Sequence, residues 1–187
     1  MNKKRCPWAI GPLDIKYHDN EWGRETHNDQ MLFEYLILEG MQAGLSWSLI
    51  LKKRENFKRA FDNFDYNICA NYTDEYLESL REDASIIRNK LKIYSVRKNA
   101  LAFIKVQKEF GSFDKYIWGF TNYKKINNKL ESYKDAASES ELSTKISKDL
   151  KKRGFSFVGS TIIYSYMQAI GMINDHEKGC FCYKECC

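Results

Sequence analysis

Asp29-Gln30-Met31-Leu32-Phe33-Glu34-Tyr35-Leu36-Ile37-Leu38-Glu39-Gly40-Met41 is the stretch that decides the fold. Met31, Leu32, Phe33, Leu36, Ile37, Leu38 and Met41 make it apolar nearly all round, which describes a helix enclosed at the centre of the molecule. Glu39 breaks the pattern near the end of that helix. An unpaired carboxylate there costs several kcal/mol, on the order of the effective desolvation penalty of a buried ion. Two arrangements offset such a cost: a local Arg, Lys or backbone donor, or a pocket in which the carboxylate awaits the donors of a ligand.

Helical spacing recurs on either side. Ser46 can cap a helix carrying Trp47, Ile50, Leu51, Phe57 and Phe61, and Thr73 another with Leu77 and Leu80. Ile93, Val96, Ala100, Leu101 and Ile104 mark a long helix stopped at Gly111, after which Ser112 opens one bearing Phe113, Tyr116, Ile117 and Phe120. Ser138 and Glu141 form a capping-box pattern ahead of Leu142, Ile146 and Leu150, with Gly154 as the stop. Ser160 or Thr161 starts a last helix through Ile163, Tyr166, Met167 and Ile170 to Gly171. Residues 123–137 are polar without a clear period and read as a surface connection. No alternating strand or internal repeat is found, so the class is all-α.

At 187 residues the chain can bury one good core. A single domain over residues 1–187, cleft into two helical lobes, is expected. The start is basic but lacks the apolar run of a signal peptide, and no stretch could span a bilayer. A cytoplasmic, monomeric protein without membrane contact is the expectation. In that compartment six cysteines read as thiols or metal ligands. Cys69 reads as a small core residue, and Cys182, Cys186 and Cys187 either as dangling thiols or, for Cys182, as a competitor of Cys180 for metal. Thirty basic against 25 acidic residues permit a polyanionic partner without requiring one. The clusters Lys52-Lys53-Arg54, Lys124-Lys125 and Lys151-Lys152-Arg153 fit phosphate contacts or merely solvated helix faces.

Two constellations carry chemistry. Cys6 with His18 and His176 with Cys180 supply two thiolates and two imidazoles, the donor set of a closed structural zinc site. The long gap between the half-sites leaves isolated cysteines and histidines as the competing explanation. Trp8, Tyr17, Trp22 and Trp47 crowd the first quarter of the chain, near Glu39 in sequence. Singly such aromatics are core; with a carboxylate they are the contents of a pocket that stacks a flat, electron-poor ring.

The segments Tyr17-His18-Asp19-Asn20-Glu21-Trp22-Gly23, Leu38-Glu39-Gly40-Met41-Gln42-Ala43-Gly44-Leu45-Ser46-Trp47, Leu51-Lys52-Lys53-Arg54-Glu55, Ile86-Ile87-Arg88, Lys151-Lys152-Arg153-Gly154-Phe155 and Asn174-Asp175-His176 together resemble, in order, the bacterial 3-methyladenine DNA glycosylase I family. The resemblance implies a helix-hairpin-helix DNA glycosylase fold with one zinc ion on Cys6, His18, His176 and Cys180 joining the terminal segments. It places Glu39 against the excised base, Tyr17 beside it and Trp47 as a stacking wall, with Trp8 and Trp22 as further pocket aromatics. Leu45 falls near the tip of the loop that enters the DNA stack. The hairpin falls around residues 83–93, where Ser85 stands in place of a common glycine. Gly159, Ser160 and Thr161 could meet phosphate. The implied activity is hydrolytic release of 3-methyladenine from double-stranded DNA, without a strand-cleaving lyase step. The alternative is a non-catalytic, zinc-stabilised DNA-binding module.

Overall fold

The computed structural model describes residues 3–187; Met1 and Asn2, the first two residues of the expected domain, lie outside the described residues. Pro12 at the first helical turn opens α1 (Pro12–Asn20). α2 (Asp29–Gln42) begins where Asn28 accepts from the Met31 N–H, and it is the central helix the sequence predicts: Leu32, Phe33, Leu36, Ile37, Leu38 and Met41 are all at most 2% exposed, although Met31, in the first turn, is 42% exposed rather than enclosed. Ser46 caps α3 (Trp47–Ala60) by accepting from the Leu49 N–H. The short α4 (Tyr66–Cys69) and α5 (Asp74–Ser79) lead to α6 (Lys90–Phe110), which ends at Gly111 with φ of 89°. α7 (Phe113–Gly119) follows under the Ser112 cap.

A parallel pair of two-residue strands, β1 (Ile126–Asn127) and β2 (Ile173–Asn174), flanks α8 (Glu141–Lys152) and α9 (Ser160–Ala169) in the chain, and α10 (Cys182–Glu185) closes it. The strands correct the expectation of no strand, since a two-residue pair is too short to alternate. The segment 123–137 is likewise more than a surface connection: β1 anchors it, Leu130 is 9% exposed, and the Tyr133 N–H donates to the Glu177 carboxylate at 2.8 Å. The capping box before α8 is Ser140 with Ser143, not Ser138 with Glu141, because each of those two serine hydroxyls reaches the other residue's backbone N–H. α9 is capped by the Gly159 backbone without a side-chain bond, and it ends at Ala169, short of Gly171.

α2 packs against α3, α6, α7 and α9, so one core joins the first and second halves of the chain. Each large side chain enclosed there contributes about 1.5 to 3 kcal/mol of apolar burial. Polar ties fix the angles. Asp29 at the start of α2 accepts from the Phe113 and Asp114 N–H groups at 2.9 and 2.8 Å, holding α7 end-on. Arg54 on α3 donates to Glu34 on α2 at 2.7 Å and to Glu21 beyond α1 at 2.6 Å. Between α5 and α6 the chain makes a helix-loop-helix at the expected position, its loop pinned to α3 by Lys53 donating to the Ser85 carbonyl at 2.8 Å. No described helix is long and apolar enough to cross a membrane.

Candidate active site and metal cluster

α2 carries Glu39 to the floor of a cavity of about 200 Å³. The residue is 4% exposed, and no hydrogen bond to its carboxylate is present among the described residues. Burial alone pushes this carboxyl up from an ordinary 4.5 to about 8. The helix-end alternative, a local charge partner, is thereby excluded, and the carboxylate faces the pocket. Tyr17 reaches the same space from α1; its hydroxyl pKa is raised by burial first and by Glu39 second. Trp47, the first residue of α3, packs on Tyr17 with ring centroids 5.1 Å apart. Trp8 and Trp22 complete the aromatic wall, edge to face at 5.0 Å.

Three buried polar atoms in this wall have no partner: the Tyr17 hydroxyl, Trp8 Nε1 and Trp47 Nε1. An orphaned buried donor costs about 1 to 3 kcal/mol, so three around one unpaired carboxyl mark a space built for a polar ligand. The lining also includes Gln42, Tyr133 and Gln168, which sequence reasoning missed. Gln168 is oriented from behind, since its Nε2 donates to the buried Asp175 at 2.7 Å. The Asn174-Asp175-His176 segment was a usable signal for Asp175; Tyr133 had none, because its segment lacks periodicity.

The metal half-sites meet. Cys6, His18, His176 and Cys180 are all buried, and one ligand atom from each lies within 4.8 Å of the others. Cys6 Sγ is 3.5 Å from His176 Nδ1, and Cys180 Sγ is 3.4 Å from His18 Nε2 and 3.6 Å from His176 Nδ1. A tetrahedral zinc with ordinary bond lengths sets its S···N edges at about 3.6 Å, so the donor set fits. The far ring nitrogens are committed: His18 Nδ1 lies 2.8 Å from Asp19, itself held by Arg5, and His176 Nε2 lies 3.2 Å from the Trp22 carbonyl. These contacts fix which nitrogen each ring offers. Cys180 is drawn down toward thiolate, first by the hydrogen bond from Cys6 and then by the two imidazoles. Gly23 has φ of 77°, and a Cβ there would come within 2.9 Å of His176 Nε2. The cluster thus abuts the pocket through Trp22, whose ring is 4.5 Å from that of His176.

Cys182 is not a dangling thiol. It is fully buried, with Sγ 4.0 Å from His18 Nδ1, on the Asp19 side of the ring and away from the Nε2 that Cys180 faces. Cys186 is buried too, and only Cys187 is exposed. Cys69 is the core residue expected.

Around the mouth, Leu45 is 37% exposed on a turn that begins at Gly44, φ 75°. The turn is held from beneath by Lys92, which donates to the Met41 and Ala43 carbonyls at 2.8 and 2.6 Å. Thr161 lines the adjoining hollow with Gln42, whereas the Ser160 hydroxyl is engaged by Glu139. Gly159 has open space before it. The basic clusters are partly architectural: Lys53 and Arg54 hold the ties described above, Lys125 donates to the Cys186 carbonyl, and Arg153 pairs with Glu109 and Asp149.

A helical fold that encloses an aromatic box around a buried, unpaired carboxyl is the architecture of a protein with an internal ligand pocket. The methyladenine glycosylase family model matches residues 8–183, and the chain belongs to that family. It is 44% identical over 181 residues to DNA-3-methyladenine glycosylase 1 of Escherichia coli (strain K12), covering 96% of this chain and 97% of the relative. A crystal structure of 3-methyladenine DNA glycosylase I superposes with a TM-score of 0.94 at 42% identity, covering 96% of this chain and 100% of that one. A tyrosine-to-phenylalanine variant of 3-methyladenine DNA glycosylase I, solved in complex with 3-methyladenine, gives 0.92 at 31% identity over 95% of this chain and 96% of that one.

Proposed function

We infer that the protein is a base-excision repair enzyme that flips 3-methyladenine out of alkylated double-stranded DNA and hydrolyses its N-glycosyl bond. The observation that carries this reading is the Glu39 cavity, with its carboxyl and three aromatic polar groups all unpartnered. A relative bound to 3-methyladenine indicates what such a box accepts. A purely DNA-binding module has no use for it.

Methylation at N3 gives the adenine a positive charge, so the base is already a good leaving group and recognition does most of the work. Flipping costs roughly a few kcal/mol, less for a damaged pair. Stacking of the cationic ring on Trp47 returns roughly 0.5 to 2 kcal/mol of cation-π attraction. Glu39, once ionised, accepts from the exocyclic amine of the cationic ring; a neutral adenine gains less from this contact and from the stacking. Water adds to C1′ as the bond breaks, and the electron pair of that bond neutralises the departing base. No lysine lines the described cavity, and Lys92, buried beside it, is committed to two carbonyls, so no Schiff-base lyase step follows.

Cys6, His18, His176 and Cys180 would hold one structural zinc ion, which leaves no open position for substrate. When bound it joins the terminal segments and fixes Trp22 and Trp8 behind the base. The helix-loop-helix between α5 and α6 serves as the DNA hairpin, Leu45 fills the gap left by the flipped nucleotide, and Thr161 with the Gly159 and Ser160 backbone meets phosphate. Release of free base from alkylated duplex DNA, resolved by chromatography, tests the reading: wild type releases 3-methyladenine and Glu39→Gln much less. Binding of DNA by both without release would instead make the protein a non-catalytic module.

A further inference from the structure

Asp14 is a second carboxylate in the wall of the Glu39 cavity, and recognition of the base leaves it without a task. It sits on α1 one turn before Tyr17, about 4.5 Å from it along the helix axis. Its neighbour across the cavity is Ser48 on α3, an exposed residue whose Oγ–H donates to Asp14 Oδ1 at 2.8 Å. Asp14 itself is only 7% exposed, so the carboxylate is enclosed beside an exposed partner and has little freedom. A Cβ on Gly11 would stand 2.8 Å from the other oxygen, Oδ2. Oδ2 therefore lies against Gly11, where only a residue without a side chain leaves it undisturbed.

The direction in which a base enters decides what this group meets. A flipped nucleotide stays tethered through its sugar, so the far edge of the base goes to the floor and its glycosidic bond points back toward the mouth. Glu39 and Tyr17 therefore address the base edge, while Asp14 and Ser48 stand beside the sugar.

We propose that Asp14, fixed by Ser48, is a catalytic carboxylate that faces C1′ of the flipped nucleotide and takes the proton of the attacking water. The inference rests on the glycosylase reading above. In the step, the water oxygen bonds to C1′ as the bond from C1′ to N9 breaks. The released pair stays on the base, which leaves neutral, and the proton shed by water goes to Asp14 Oδ2 and then to solvent. Before water has bonded, the same carboxylate opposes the positive charge growing on the sugar.

The test is single-turnover release of 3-methyladenine from alkylated duplex DNA, run beside binding of free 3-methyladenine followed by quenching of the pocket tryptophans. Asp14→Asn is expected to lower the single-turnover rate about 100-fold, the usual contribution of a positioned base, with free-base affinity and thermal midpoint unchanged. Gly11→Ala, compatible with the backbone φ of −78° there, should push Oδ2 aside and slow release in the same selective way. An Asp14→Asn protein that releases base at the wild-type rate, or one that loses rate only in proportion to lost base affinity or lost stability, would overturn the proposal alone. A wild-type chain that releases no base would overturn the glycosylase reading and this proposal with it.

Discussion

Glu39→Gln should make the protein more stable while disabling it, and the gain can be worked from the burial of the carboxyl. In the unfolded chain the group ionises near 4.5; in the fold it holds its proton to about 8. Its folded-state affinity for the proton is raised, so its contribution to stability is fully present below pH 4.5 and is lost as the pH climbs through 8. At pH 7 the unfolded chain has gained about 2.5 units of ionisation, each worth about 1.4 kcal/mol, and the folded chain almost none. The wild type is therefore about 3 kcal/mol less stable than a chain with a group of the same shape that cannot ionise. For a chain of this size that gap corresponds to roughly 6 to 12 °C in thermal midpoint. Differential scanning calorimetry of the two proteins at pH 5, 7 and 8.5 is the assay. The midpoints should nearly coincide at pH 5 and separate as pH rises, with Glu39→Gln the higher. A gap that does not grow with pH, or a variant less stable at pH 8.5, would refute the argument by revealing a partner for the carboxylate that the fold does not otherwise provide.

The same raised value predicts that kcat/KM for base release climbs as pH approaches about 8 and then levels, because the free enzyme must shed the Glu39 proton before a cationic base can be held. Pure protein is expected to carry one zinc ion per chain by atomic absorption, and its removal by a chelator should lower the thermal midpoint. A folded metal-free chain with an unchanged midpoint would contradict a structural role. Gly171→Ala should be among the most damaging single-methyl changes in the molecule. Gly171 has φ of 77° and its Cβ would fall 2.3 Å from the Arg24 carbonyl carbon, so a loss above about 3 kcal/mol, or no soluble protein, is expected on expression. Leu45→Ala should slow release from duplex DNA yet leave binding of free 3-methyladenine intact, which the chromatographic and fluorescence assays separate.

The strongly periodic helices and their caps were legible because each is specified locally. Asn28 and Ser46 act within one turn of themselves, and the broad apolar surface of α2 from Leu32 to Met41 favours a central position. Glu39 stood out because a carboxyl in that helix contradicts its surroundings, and the metal ligands because their donor types match one geometry. What could not be read depends on partners distant in sequence. Tyr133 reaches the pocket only because Ile126 pairs with Ile173, and Gln168 points as it does only because Asp175 holds it. Lys53 and Arg54 look like a phosphate patch until the loop carbonyls and the acids Glu21 and Glu34 that they serve are seen. Asp14 gave no signal, as one acid in the first turn of a helix commonly serves the helix dipole.

Synthesis runs from the amino end, and the cluster of Cys6, His18, His176 and Cys180 joins a segment made early to one made much later. Trp8, Tyr17 and Trp22 leave the ribosome early, but the groups that hold the first pair of cysteine and histidine in place emerge only after residue 176. A nascent or truncated chain can therefore form α2 and α3, which pack on each other, without closing the box behind the base. Closure links segments at the largest sequence separation in the molecule, the kind of contact that forms late in folding. A chain cut short of His176 is therefore expected to leave Trp8 and Trp22 without the segment that packs behind them, even where its earlier helices have formed.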